Sequence, residues 1–169
     1  KLSLTIFLFF GTQIVILFAY SVLGIGSLNP FEGLYDSGNA LVALVSCILG
    51  IGCVEEFVKV LPVILILYYS KNVIQPQTSV YYGLISGIAF GVFEGVQYQM
   101  GPNFQMLIEN GVAEGYIYSY LSNIARLTSL PFLHAVWCGI ASYFVAFAFL
   151  YPRYRRSLYL LAILIPATI

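Results

Sequence analysis

Apolar residues in this chain come in runs long enough for the roughly 20 residues that a membrane-spanning helix needs, separated by short polar segments. Five runs can be drawn: about Leu2 to Gly26, Asn39 to Tyr69, Val80 to Met100, Ser129 to Leu150, and a fifth that begins near Ser157. The first is too long for a signal-peptide core and has no clean cleavage site, so it reads as a retained helix. The second, about 30 residues long, exceeds the hydrocarbon thickness and must tilt, kink or project. Gly50, Gly52 and Pro62 are its natural bending points. Between the third and fourth runs, Gly101 to Thr128 is more polar but keeps an apolar period at Phe104, Leu107, Ile108, Val112, Tyr116, Tyr120 and Ile124. That pattern predicts a surface-lying or partly re-entrant helix. The expected fold is therefore an all-α polytopic bundle of about five spans plus an interfacial helix. It forms one domain over residues 1–169, with a core at about 40–150. The chain begins at Lys1 and ends within an apolar stretch, so it reads as a fragment.

Composition strengthens this reading and removes others. Hydrophobic residues make up 60% of the chain and charged residues 8%, against about 25% charged in a soluble domain, so lipid is the solvent for most of the surface. Seven acidic and seven basic residues balance, which leaves no basic stripe for nucleic acid. Cys47, Cys53 and Cys138 lie in apolar runs without C-x-x-C spacing and are expected to be small core residues. Lys1, Lys71 and the cluster Arg153, Arg155 and Arg156 fall at one side of an alternating path, and Glu32, Asp36, Glu109 and Glu114 at the other. The positive-inside rule makes the Lys71 and Arg153 sides cytoplasmic, in a plasma membrane. Arg126 is the exception, on the acidic side.

The polar residues inside the spans carry the functional signal. Glu55 and Glu56 are adjacent within the second run, and one carboxylate at bilayer depth costs roughly 2.5–3.5 kcal/mol on insertion scales. Lys59 stands four residues after Glu55, the favourable acid-first order. Glu56 projects about 100° away, so Lys59 is not expected to serve both acids equally. In the third run Gly83, Gly87, Gly91 and Gly95 recur every four residues, a ladder for close helix packing. Glu94 lies seven residues after Gly87 and projects near that face. The fourth run holds His134, the chain's only histidine. Ionisable groups at such depth mark functional sites by default. Glu94 and His134 sit at similar depth, with Glu55 and Glu56 somewhat deeper, so a shared site is geometrically allowed.

With these residues placed, the sequence resembles the PrsW family of intramembrane proteases, in a superfamily with the CAAX prenyl proteases and their bacterial Abi-type relatives. Glu55, Glu56 and Lys59 match Glu-Glu-x-x-Lys; Phe90 and Glu94 match Phe-x-x-x-Glu; Arg126, His134, Gly139 and Tyr143 resemble an arginine followed by His-x-x-x-x-Gly and Tyr, with Trp137 between. Gly95 stands where the family usually has Asn, and Ser142 where a glycine precedes the tyrosine. The resemblance implies hydrolysis of a peptide bond at membrane depth. The substrate would be a membrane-anchored protein, such as a single-span anti-sigma factor, or the precursor of a secreted peptide.

The residues support that chemistry. A buried carboxylate can act as general base on water, here Glu55 or Glu56. His134 and Glu94 would hold the water, polarise the carbonyl or bind a divalent metal. Glu56, Glu94 and His134 form an acceptable zinc set; without metal, the same groups form a glutamate-type protease with an imidazolium electrophile. Lys59 and Arg126 read as charge-balancing partners. A Cys138–His134 thiol dyad is a minor alternative. Two rival functions use the same residues: a non-catalytic scaffold that binds a partner transmembrane helix, and a proton or cation transporter.

Overall fold

The computed structural model describes residues 11–12, 14–15, 30–70, 74–100, 105, 108 and 112–168. Among the described residues the first long helix starts at α1 (Ala40–Cys47), where the Asn39 side chain accepts hydrogen bonds from the main-chain N–H groups of Leu41 and Val42 and so satisfies donors the helix start leaves open. A π-helical turn, Ile48–Gly52, joins it to α2 (Cys53–Tyr69). The whole unit, Ala40–Tyr69, is 30 residues long and apolar enough to cross a membrane. The wide turn falls at Gly50 and Gly52, as expected for the bend. Gly52 packs closely, with a Cβ there meeting Ala167 O at 3.0 Å. Pro62 stays inside α2 and buried.

α3 (Pro76–Met100) opens on proline, whose missing N–H costs nothing at a helix start. α4 (Val112–Leu150) runs 39 residues through Pro131. A 3₁₀ turn at Pro152–Tyr154 leads into α5 (Arg155–Ala167). α3 and α4 are antiparallel and share the most intimate interface. A Cβ on Gly83 would strike Cys138 O and Ser142, one on Gly87 would strike His134 O and Ala135, and one on Gly91 would meet Pro131 Cα at 2.7 Å. The predicted glycine ladder is therefore the seam on which α4 lies. Towards the α2 C-terminus, Val60, Val63, Leu67, Ile85, Ala141, Val145 and Ala162 form an apolar core shared by α2, α3, α4 and α5. That packing puts the C-terminal ends of α2 and α4 at the same end of the bundle, together with the exposed Arg153, Arg155 and Arg156.

Several boundaries differ from expectation. Among the described residues three helices are long and apolar enough to span: Ala40–Tyr69, Pro76–Gln99 and Gly115–Leu150. The run at Leu2 to Gly26 lies almost wholly outside the described residues, as do Lys1, Lys71 and Glu109. α5 covers 13 residues of the expected fifth run, up to Ala167. The third helix starts at Pro76 rather than Val80. Residues 112–128 of the segment expected to be interfacial continue into α4, because nothing in Ser122 to Ser129 breaks the helix, and Val112, Tyr116, Tyr120 and Ile124 of its apolar period belong to the same long rod. Of its earlier part only Gln105 and Ile108 are described, both helical, and the rest, Phe104 and Leu107 included, lies outside the described residues. At 1.5 Å per residue α4 is about 58 Å long, so part of it projects beyond a hydrocarbon core of about 30 Å.

Candidate active site

Two polar clusters sit side by side between α2, α3 and α4. The first is on α2. Lys59 Nζ lies 2.8 Å from Glu56 Oε1 and 3.1 Å from Glu55 Oε2. Lys59 thus pairs with both acids but not equally, and the shorter, more buried contact is with Glu56 rather than with Glu55 four residues before it. Positions three and four before a lysine lie on either side of it one turn away, and an ammonium with three donors on a flexible stem reaches both. The two acids still differ: the Glu56 side chain is 3% exposed and that of Glu55 31%. Glu56 Oε2 is buried with no partner.

The second cluster joins α3 to α4. His134 Nε2 and Glu94 Oε2 form a short hydrogen bond of 2.6 Å, which fixes the ring and leaves His134 Nδ1 buried without a partner. The bond depends on the glycine seam, since Gly87 lies directly against the main chain of His134. Glu94 therefore points into the bundle, as its phase against the glycines predicts.

Phe90 and Trp137 stand between the clusters. Lys59 Nζ is 4.7 Å from the Phe90 ring centre and 5.9 Å from that of Trp137. The His134 ring is 5.2 Å from Phe90 and 5.8 Å from Trp137, edge-on to both. The ammonium is thus stabilised by aromatic faces as well as by carboxylates, and those rings bound the gap between ammonium and imidazole. Lys59 and His134 share this aromatic wall, but Glu56, Glu94 and His134 do not close into one ligand set. Among the described residues no group of three or more His, Cys, Asp or Glu is gathered to hold a metal.

The remaining candidates lie elsewhere. Arg126 stacks on Tyr98, 3.7 Å from the ring centre, about a turn beyond Glu94 and away from the Lys59 cluster. Gly139 packs on Leu84, while Tyr143 is exposed and rests on Phe144 and Phe147. Ser142 is buried against Gly83. Of the cysteines only Cys138 is buried as expected; Cys47 is exposed and Cys53 half-buried, because among the described residues little packs on the α1 side of the Ala40–Tyr69 helix. The Cys138 thiol donates to Lys59 O at 3.4 Å, which gives no support to a Cys138–His134 dyad.

One stripe was legible in the sequence but not read. Ser86, Phe90, Glu94 and Tyr98 recur every four residues beside the glycines. Their side chains touch, in order, Lys59 O, Lys59 Nζ with His134, His134, and Arg126. Ser86 was missed because a lone serine in an apolar helix carries no charge to mark it.

Comparison with curated proteins and with solved structures returned no match. A family model described as PrsW family intramembrane metalloprotease matches residues 2–169.

Proposed function

Because the chain belongs to the PrsW family of intramembrane metalloproteases, we propose that the paired clusters hydrolyse a peptide bond within or beside a substrate's transmembrane segment. One observation carries the assignment of roles: each cluster presents one buried, unpartnered polar atom, Glu56 Oε2 and His134 Nδ1, and among the described residues the only other such side-chain atom is Ser142 Oγ, against the glycine seam. Glu56 is the general base. It takes a proton from water as the oxygen attacks the carbonyl carbon, then returns that proton to the departing amine. His134, held by Glu94 through Nε2 and protonated, presents Nδ1–H to the carbonyl oxygen as negative charge develops there. Lys59 pairs with both Glu55 and Glu56, offsetting one of their two charges, and holds the Glu56 carboxylate by its other oxygen. Glu55, more exposed, stands at the outer side of the pair.

The family description is compatible with a divalent ion. His134, Glu56 and Glu94 are suitable donor types for zinc, but as arranged they are not gathered into one ligand set. Holding an ion would require the carboxylates to move towards His134, whose Nδ1 would be the ring ligand while Glu94 orients the ring from Nε2. The catalytic roles above rest on protein groups alone.

The substrate class is a membrane-anchored protein or peptide precursor, reached within the bilayer of the plasma membrane, with the Arg153–Arg156 turn cytoplasmic. Purified protein in proteoliposomes with a single-span reporter tests the proposal. Ala at Glu56 or His134 abolishes cleavage with the fold intact, whereas wild-type turnover in both refutes the assigned roles. A second reading, a non-catalytic member of the same fold that binds a partner helix, is favoured by Gly95. The family's Asn position there offers no polar group and lies under Leu127. A stable complex with uncleaved reporter would favour that reading.

A further inference from the structure

We infer that Ser86 is a positioning residue for Glu56, acting through the main chain of Lys59; as a statement about catalysis this rests on the hydrolytic reading above. Ser86 Oγ donates to Lys59 O at 2.6 Å from a neighbouring helix, and the Cys138 thiol donates to the same carbonyl from a third. Pro62 has no N–H to offer Val58 O, the carbonyl one residue before that of Lys59, so the turn that carries the Lys59 carbonyl lacks one of its own intrahelical bonds and the cross-helix bonds help to hold it.

The usual habit of a serine or threonine in a helix is to bond back to its own preceding turn. Ser46, Thr128, Ser129 and Thr168 all do so. Ser86 reaches across to α2 instead, to the residue whose ammonium holds Glu56 Oε1. Lys59 is thereby pinned at both ends: its carbonyl by α3 and α4, its ammonium by the acids and the aromatic wall. The rotation of α2 at this turn sets where Glu56 Oε2 points, and Ser86 fixes that rotation.

Ser79 supplies an internal control. Its hydroxyl also crosses helices, to Ser142 O at 2.9 Å, and it is equally buried, but it ties α3 to α4 away from the acids. The test compares Ser86→Ala, Ser86→Cys and Ser79→Ala in reporter cleavage and in infrared spectra of protein labelled with ¹³C-carbonyl lysine, of which the chain has three. Ser86→Ala is expected to shift the Lys59 carbonyl band to higher frequency and to lower kcat about 10- to 100-fold at unchanged KM, as expected for a misplaced catalytic group. Ser86→Cys, which keeps a weak donor, recovers part of both. Ser79→Ala moves neither beyond the change that accompanies its own loss of stability. An unshifted Lys59 band in Ser86→Ala overturns the inference, as does a shifted band with kcat no lower than in Ser79→Ala. If wild-type protein cleaves no reporter, the failure belongs to the hydrolytic reading. Positioning is then judged by the Glu56 carboxylate band, which Ser86→Ala must shift and Ser79→Ala must not.

Discussion

At the scale of single residues, the account turns on the inequality between two neighbouring glutamates. Both are paired with Lys59, yet only Glu56 is fully buried and retains an unpartnered oxygen. Glu56→Gln is therefore expected to lower turnover at least about 100-fold, in the range seen when a general base is removed. Glu55→Gln should retain most of it, measured as initial rates of reporter cleavage. Lys59→Met makes a different prediction. It leaves a buried carboxylate without its counter-charge, and breaking a buried pair costs about 3–5 kcal/mol. The variant should unfold at lower temperature than wild type, and adding Glu56→Gln should recover part of the loss. The sequence disclosed these charges because ionisable residues are conspicuous in an apolar run. It did not disclose Lys59's double pairing, which depends on a flexible side chain settling between two neighbours, nor Ser86, whose role lies wholly in a contact with another helix.

At the scale of helices, the α3–α4 seam decides whether His134 and Glu94 meet. A side chain at Gly87 would collide with the main chain of His134, whereas one at Gly139 would meet side-chain atoms alone, the flexible end of Leu84 and, at ordinary contact distance, Val80. Gly87→Ala should destabilise the protein by about 1–3 kcal/mol, the usual cost of overpacking, and reduce cleavage by parting His134 from Glu94. Gly139→Ala should be milder in both, as followed by thermal unfolding in detergent. The four-residue glycine period was readable because close packing of helices in lipid needs small residues. The extent of α4 was not. Residues 112–128 are polar enough to look interfacial, and helix continuity through Pro131 depends on packing rather than on local propensity.

At the scale of the molecule, an antiparallel path brings the C-terminal ends of α2 and α4 together, and with them the exposed arginines of the α4–α5 turn. By the positive-inside rule that end is proposed to be cytoplasmic. A cysteine introduced at Arg153, with Cys47 replaced by Ala, should react with a membrane-impermeant thiol reagent in inside-out vesicles and stay unlabelled in intact cells; the reverse pattern would invert the assigned topology. The class of fold and three of the spanning helices were legible from hydropathy alone, because lipid forces backbone hydrogen bonds to close within each helix. The division of the site into two halves by Phe90 and Trp137 was not, since aromatic residues are too common in such spans to signal a partition. That division also explains why the acids and the histidine do not collapse into a single ion-pair cluster. The central claim, that Glu56 and His134 together hydrolyse a peptide bond, is tested most directly by one measurement. Mass spectrometry identifies the termini produced when purified wild type, Glu56→Gln and His134→Ala are each incubated with a single-span reporter in proteoliposomes. New termini in or beside the reporter's membrane segment from wild type, and from neither folded variant, are the predicted result. The same termini at wild-type yield from both variants would contradict it.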